Sequence, residues 1–400
     1  MPVADMLAHS PPFPLIIDHF DHSIWAHDRR GITLALRQRN RVRRVRLTGQ
    51  SPFIKWLMGA MEYEFPMLEY LCITLKDNAA LKLPMTFQAP QLRHLVLANL
   101  TPSIGSPLLT GATGLVTLSL QCIPPSAYFR PSELLQRVSH MPHLETLRIE
   151  FHPSVSRREL EHELSHMLNN THITLSHLRS FGFGGFSSYL EAFLSQIIAP
   201  RLEAFHIAFF DQLTLSISCL LQFMITSKNL RLRSALLLFD GEGVKLWVYP
   251  LETPESISFA LRIYSRRPIS TAAQMFNAFN PGLSSVADLT LEYEGYRSWT
   301  GWQHEDTRNE WRALLRSLGN VKTLHIANLI GELSDSLRFN GGELPIDLLP
   351  ELKKLSYSSS TNRDKAFAEF IDARQSAGFP VTLVHHPERI KSKWPWVGSN

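Results

Sequence analysis

The chain has 400 residues, of which 44% are hydrophobic and 19% are charged. A chain of this length exceeds what one compact core fills, and its composition excludes an intrinsically disordered protein, so we expect two globular domains or a repeat array. The formal net charge of +4, from 40 basic and 36 acidic side chains, gives no reason to expect nucleic acid or an anionic membrane as the partner.

The cysteines and the apolar runs predict the cellular location of the protein. Cys72, Cys122 and Cys219 are odd in number and far apart, which excludes a disulfide framework and a cysteine-rich zinc site. The N-terminus has Asp5 where a signal peptide has a basic residue, and no stretch approaches the roughly 18 uninterrupted apolar residues of a membrane span. We therefore expect a protein of the cytoplasm or nucleus.

A short apolar pattern, L-x-x-L-x-L, recurs along the chain and predicts a series of similar units. The first positions of successive copies lie 23 to 35 residues apart, with one gap of 84 residues that has room for two degenerate units at 229–239 and 256–264. In chain order the ten copies are Val42-Val45-Leu47, Leu68-Leu71-Ile73, Leu92-Leu95-Leu97, Leu115-Leu118-Leu120, Leu144-Leu147-Ile149, Leu178-Phe181-Phe183, Leu202-Phe205-Ile207, Val286-Leu289-Leu291, Val321-Leu324-Ile326 and Leu352-Leu355-Tyr357.

Each copy predicts a short strand, and most copies precede a stretch with helical periodicity. Positions four and six of a copy point to one side of the strand, and positions three and five point to the other. We expect helices at 51–64, 131–141, 187–198, 218–228 and 364–378. Two further helices are expected to begin with capping boxes at 156–159 and 307–310, where a hydroxyl and a carboxylate satisfy free backbone N–H groups.

These elements predict an α/β fold, an irregular leucine-rich-repeat solenoid (horseshoe) of parallel strands with helices on its convex side. Residues 1–40 would form an N-terminal cap, residues 41–386 the repeat array, and residues 387–400 a tail. The exposed strand face is then the predicted binding surface for a protein partner. It would use residues at positions three and five of the units, namely Tyr70, His94, Val96, Thr117, Ser119, Thr146, Arg148, His206, Thr323 and His325.

One string points to a different chemistry. His162-Glu163-x-x-His166 with His172 resembles the zinc-binding helix of metzincin proteases, in which two histidines on one helical face bind zinc and the glutamate activates water. At about 100° per residue, however, the apolar residues of this segment share the opposite face from its histidines, which favours an exposed helix without a metal. We therefore expect no enzyme activity and no cofactor, with a zinc-dependent hydrolase as the alternative.

Two other clusters have simple structural interpretations. An arginine run flanks and enters the first repeat strand. It could form a basic groove that binds phosphate or an acidic partner. We favour the other interpretation, in which the arginines belong to a solvated edge strand. It consists of Arg37, Arg39, Arg41, Arg43, Arg44 and Arg46. Gly182, Gly184 and Gly185 follow the spacing G-x-G-G rather than that of a dinucleotide site, and predict a bulge or tight turn.

Segments such as EFPMLEYLCI, FQAPQLRHLVLANL, PSELLQRVSHMPHLETLRIEF and LLPELKKLSYS resemble the F-box-like leucine-rich-repeat proteins of mushroom-forming (agaricomycete) fungi. The resemblance covers nearly the whole chain. In that family a helical F-box precedes the equivalent of Pro2-Val3 and binds the linker subunit of a Skp-cullin-F-box ubiquitin ligase, and this sequence begins just after that point. The resemblance implies the substrate-recognition arm of a ligase adaptor, with the linker subunit as a partner only if an F-box lies upstream.

Overall fold

The computed structural model describes residues 7, 9, 11, 13–20, 26–77, 81–154, 172–210, 217–227, 230, 232–250, 257–294, 305–338, 344–358 and 364–386. The chain divides into two compact units, Met1–Leu202 and Glu203–Asn400. The predicted array at 41–386 extends over both units, and each unit is taken by itself below. The capping box predicted at 156–159 and the tail predicted at 387–400 lie outside the described residues.

Unit 1 contains a parallel sheet with the strand order β1-β2-β3-β4-β5-β6-β8. Its strands are β1 (Leu15–Phe20), β2 (Val42–Gly49), β3 (Tyr70–Leu75), β4 (His94–Ala98), β5 (Thr117–Ile123), β6 (Thr146–Phe151) and β8 (Ser180–Gly185), beside a two-stranded parallel pair, β7 (Ile173–Thr174) and β9 (Ile197–Ile198). Its described helices are α1 (Ala26–Arg37), α2 (Ser51–Met58), α3 (Pro107–Gly111), α4 (Pro131–Val138) and α5 (Ser187–Leu194), with a 3-10 turn at Pro125–Ala127.

Unit 2 contains a mostly parallel sheet with the order β10-β13-β12-β11-β14-β15-β16-β17. The strands are β10 (Ala204–Phe209), β11 (Ser234–Phe239), β12 (Gly243–Tyr249), β13 (Phe259–Tyr264), β14 (Asp288–Tyr293), β15 (Thr323–Ala327), β16 (Lys354–Ser358) and β17 (Thr382–His386). The described helices are α6 (Ser218–Thr226), α7 (Pro268–Leu283), α8 (Glu305–Ser317), α9 (Ile330–Leu337) and α10 (Ala368–Ser376), with a 3-10 turn at Asp364–Ala366. The fold class is therefore α/β, as predicted.

The predicted strands are confirmed at all ten copies of the pattern. Each copy overlaps one strand, from β2 for the copy that begins at Val42 to β16 for the copy that begins at Leu352. None of the residues at positions one, four and six is more than 4% exposed. Each copy therefore contributes the same three buried side chains to the core of its unit, which explains why the pattern recurs although the spacing varies.

The same tight turn precedes nine of these strands. The N–H at position one donates to the carbonyl three residues earlier, as in Leu92 to Ala89 at 3.1 Å and Leu352 to Leu349 at 3.0 Å. Five of these turns have proline as their second residue, where its fixed φ favours the turn: Pro66, Pro90, Pro142, Pro200 and Pro350. These five prolines therefore mark the starts of five of the ten strands.

The helices pack against the side of the strands that positions four and six occupy. Phe181 of β8 contacts Phe193 of α5 with ring centroids 5.6 Å apart, and Phe205 of β10 contacts Phe223 of α6 at 5.5 Å. Positions three and five consequently lie on the other side of each sheet. Among the helices that the structure describes, none combines the length and apolar character needed to cross a bilayer.

The 84-residue gap departs from the predicted all-parallel arrangement. β11 and β13 lie at the two predicted degenerate units and run parallel to β14 and β10, but β12 is antiparallel to both of its neighbours. The cause is the turn after β11, where Asp240 Oδ1 accepts the N–H groups of Glu242 at 2.9 Å and Gly243 at 2.8 Å. A turn this short reverses the chain, whereas a parallel strand needs a long crossover.

Two smaller predictions also need correction. The arginine-rich strand β2 is not an edge strand, because β1 pairs with it in parallel on its outer side. Helix α8 begins at Glu305, so Thr307 lies within the first turn instead of capping it. A capping glutamate occurs instead at α4, where Glu133 Oε2 accepts the N–H of Arg130 at 2.7 Å.

Candidate functional site

The candidate site is the sheet side opposite the helices, here called the open face. In unit 1 the parallel register aligns equivalent positions of neighbouring strands into rows. The position-three row contains Arg44, Tyr70, His94, Thr117, Thr146 and Ser180, and the position-five row contains Arg46, Cys72, Val96, Ser119, Arg148 and Gly182. Seven of the ten predicted binding residues thus lie in two adjacent rows of unit 1.

Side chains in the position-three row contact one another from strand to strand. The guanidinium of Arg44 lies 4.5 Å above the ring of Tyr70, and the rings of Tyr70 and His94 are 5.9 Å apart. His94 Nδ1 lies 3.1 Å from Thr117 Oγ1. Burial, followed by the charge of Arg93, lowers the pKa of His94, so its ring is neutral at pH 7. The row presents ordered hydrogen-bonding and aromatic groups.

The position-five row has small side chains in its centre and carries no activated nucleophile there. Cys72 is 9% exposed and Ser119 is 5% exposed, while Val96 between them is half-buried. Burial raises the pKa of the Cys72 thiol, which keeps it protonated at neutral pH and therefore a poor nucleophile. Gln121 Nε2 donates to the hydroxyl of Ser119 at 2.9 Å. This arrangement suits binding to the surface of a partner protein.

The glycines of β8 have a different role from the predicted bulge or tight turn. Gly182 and Gly184 lie within a continuous strand, beside Arg148 and Glu150 of β6. A Cβ at Gly182 would come within 3.0 Å of Arg148 Cγ, and one at Gly184 within 2.5 Å of Glu150 Cγ. The missing side chains leave room for the Arg148–Glu150 ion pair, whose atoms are 3.1 Å apart, to lie across the neighbouring strand.

The three predicted residues of unit 2 do not form one cluster. His206 is exposed on β10, whereas Thr323 and His325 lie on β15. Four strands, β13, β12, β11 and β14, separate β10 from β15 in the sheet. At about 4.8 Å per strand, His206 is roughly 24 Å from the other two. A single small ligand cannot contact both groups.

An ion-pair network on the central strands of unit 2 was missed by the sequence analysis. Lys245 Nζ lies 2.8 Å from Asp240 Oδ2, and Arg262 pairs with both Glu242 and Asp240. Burial by itself raises the pKa of Asp240, but hydrogen bonds from Lys245 and the Glu242 N–H, with the charges of Lys245 and Arg262, lower it overall. The sequence signal was the turn 240–243, which brings these strands together.

His325 is half-buried on the open face of unit 2, between two serine hydroxyls of the neighbouring strand. Its Nδ1 lies 2.9 Å from Ser356 Oγ, and its Nε2 lies 3.0 Å from Ser358 Oγ. The ring of His386 is 5.7 Å away. Burial, with the charges of His386 and Lys354, lowers the pKa of His325 from 6.5 to about 4. The ring is therefore neutral at pH 7 and a weak base, which disfavours general-base chemistry.

The lowered pKa of His325 predicts that the folded protein loses stability in mild acid. Because the unfolded chain binds the proton more tightly, the stability that neutral His325 contributes is complete above pH 6.5 and is lost as the pH falls towards 4. At about 1.4 kcal/mol per pH unit the full loss is about 3 kcal/mol, of which about 2 kcal/mol falls between pH 7 and pH 4.5. Urea unfolding should show a decrease between pH 7 and pH 4.5 that is clearly smaller in His325→Gln. The exposed His206→Gln variant should keep the wild-type decrease, and the same decrease in all three proteins would contradict this assignment.

The zinc-site alternative lies mostly beyond the structural description. His162, Glu163 and His166 fall outside the described residues, and His172 is described and exposed. Among the described residues, no group of three or more His, Cys, Asp or Glu side chains is placed to hold a metal ion. The metzincin-like site therefore stays a prediction of the sequence.

Comparison with known proteins adds no assignment to this geometry. No protein-family model matches the chain, and no curated protein matches it. The open face is consequently characterised by its own rows and contacts. Its most specific part, the Arg44, Tyr70, His94 and Thr117 contacts, lies wholly within unit 1.

Proposed function

We propose that the chain is an irregular leucine-rich-repeat solenoid that acts as a protein–protein interaction scaffold and holds its partner on the open face. The observation that carries the proposal is the pair of register-matched rows in unit 1, which align side chains from six neighbouring strands. Regular rows on the strand side of a repeat protein offer an extended surface for another protein.

A recurring detail supports the repeat interpretation. Two residues after position six, Asn99 and Asn328 adopt positive φ angles of 58° and 62°. Each side chain donates to the carbonyl at or near the end of the preceding strand, Asn99 to Leu75 at 3.0 Å and Asn328 to Tyr293 at 3.3 Å. Asparagine tolerates this conformation better than most residues. The same asparagine turn therefore follows one copy of the pattern in each unit.

We further propose that the scaffold is the substrate-recognition arm of an F-box-type ubiquitin ligase adaptor. The support is the family resemblance of the sequence, which implies a protein substrate on the repeat surface and the ligase linker subunit on an upstream F-box. The open face has hydrogen-bonding side chains and half-buried rings, but its central cysteine is buried and protonated. These properties suit recognition of a protein better than chemical conversion of one.

The proposal predicts that a bulky charge in the centre of the open face strongly weakens partner binding. Val96→Arg places a guanidinium between Cys72 and Ser119 without entering the core, because position five points away from it. Gln136→Arg adds the same group to the exposed surface of α4. In affinity purification followed by reconstitution from pure components, wild type and Gln136→Arg should bind one identified protein equally.

Val96→Arg should weaken that binding at least about tenfold, since a bulky guanidinium left unpaired in a contact costs more than about 1.4 kcal/mol. Equal binding by all three proteins would place the partner elsewhere. Recovery of the ligase linker subunit with the full-length gene product supports the adaptor role, and its absence from such preparations argues against it.

A further inference from the structure

Two arginines at one end of the open face of unit 1 form no ion pair with any residue that the structure describes. Arg44 and Arg46 occupy alternate positions of β2, so both project to the open face with Cα atoms about 6.6 Å apart. Within the part of the chain that the structure describes, neither guanidinium is ion-paired, whereas Arg43 pairs with Glu69 at 2.9 Å and Arg148 with Glu150 at 3.1 Å. In addition, Arg44 Nε is a buried donor without an acceptor.

Aromatic rings hold both guanidinium groups in place. Arg46 lies 4.4 Å above the ring of Phe20 on β1, and Arg44 lies 4.5 Å above the ring of Tyr70 on β3. A guanidinium stacked on a ring keeps its N–H edge available for a planar acceptor and loses less conformational freedom when it binds one. The cationic groups are therefore fixed and ready to pair with an anion.

The two rings belong to strands on opposite sides of β2, so the guanidinium groups lean apart. This geometry fits two separate acceptors better than one small anion held between converging side chains. Alternate residues of an extended segment project to one side with Cα atoms about 6.6 Å apart, and their flexible carboxylate side chains can spread to reach two guanidinium groups that lean apart. The arrangement therefore favours an extended acidic segment over an isolated ion.

The surrounding charges favour an anionic ligand. The facing groups are Asp18, opposite Arg46 on β1, and the thiol of Cys72, which burial keeps protonated. Residues 37–46 contain six arginines and no acidic residue. Arg44 and Arg46 together outweigh the single carboxylate of Asp18, so this end of the face keeps a net positive charge that attracts an acidic partner.

We propose that Arg44 and Arg46, stacked on Tyr70 and Phe20, bind an acidic extended segment of the partner protein through two carboxylates. This inference rests on the proposed function and names the chemistry of one part of the partner. Carboxylate and guanidinium pair through parallel N–H···O bonds, which gives the contact direction as well as charge.

The test uses the whole chain and a fluorescent octaglutamate peptide as the probe, with anisotropy measured in about 50 mM salt, where exposed ion pairs are weakly screened. Arg44→Gln with Arg46→Gln should weaken binding about tenfold, and Arg46→Gln alone about threefold. The control is Arg201→Gln with Arg266→Gln, which removes the same charge from exposed arginines and should change binding less than twofold. Circular dichroism verifies that each variant is folded.

Several results would overturn the inference: no binding of octaglutamate by wild type, equal losses in the two double variants, or unchanged binding by Arg46→Gln. Tighter, Arg44-dependent binding of an oligothymidine probe than of octaglutamate would also overturn it in favour of nucleic acid. If octaglutamate fails while Val96→Arg still strongly weakens binding of the identified partner, the scaffold stands and only the acidic-segment inference falls. If octaglutamate fails and Val96→Arg also binds the partner as well as wild type does, the proposed scaffold function falls too.

Discussion

Replacing Arg374 by methionine is expected to lower the free energy of unfolding by about 3 to 5 kcal/mol, because it leaves a set of buried carbonyls without their donor. Arg374 on α10 is 1% exposed. Its guanidinium donates at 3.2 to 3.3 Å to the carbonyls of Pro345, Leu348, Leu349, Pro350 and Leu352. These carbonyls belong to the segment that leads into β16, so the arginine fixes the turn before that strand.

Equilibrium unfolding in urea measures this effect directly. Arg266→Met is the matched control, because Arg266 is exposed and the same side chain is removed; its effect should stay within about 0.5 kcal/mol. Arg374→Lys keeps the charge but cannot reach five carbonyls with three donors, so it should fall between methionine and wild type. A loss of less than about 1 kcal/mol in Arg374→Met would show that the carbonyls find other donors.

Replacing Gly243 by alanine is expected to lower the free energy of unfolding by about 2 to 4 kcal/mol. A Cβ at this position would lie only 2.1 Å from the carbonyl oxygen of Ile263 on the paired strand β13. Because that atom belongs to the backbone, relief requires the β12–β13 pair to separate, which weakens its hydrogen bonds.

The control for this variant lies two residues earlier in the same turn. A Cβ at Gly241 meets no atom within 4 Å, so Gly241→Ala should change stability by less than about 0.5 kcal/mol. Thermal unfolding of the two variants side by side provides the measurement. Similar melting temperatures for both would mean that the antiparallel β12–β13 pairing is not as tight as described.

The repeat strands could be predicted from the sequence because each depends on local information. A copy such as Leu92-Leu95-Leu97 buries the same three positions that define the pattern, and the preceding Pro90 sets the turn before the strand. The alternation of side chains in a strand then places His94 and Val96 on the other side. The predicted residues of unit 1 follow from this two-residue period alone.

What the sequence did not reveal depends on contacts between distant segments. The turn 240–243 is a local signal for the reversal at β12, but where this strand lies in the sheet depends on the pairing of β13 with β10 and of β11 with β14. Similarly, Arg46 was assigned to an edge strand because nothing in the sequence shows that Phe20 would lie above its guanidinium. Register between strands, which decides such pairs, is not encoded in any single copy of the pattern.

The most direct test of the scaffold is the location of the partner on unit 1. A photo-crosslinking amino acid would replace Val96 in the centre of the open face, or Gln136 on the exposed side of α4 as the control. With the identified partner present, the account predicts a single crosslinked product from position 96 and none from position 136. Crosslinking from position 136 with none from position 96 would contradict binding through the open face.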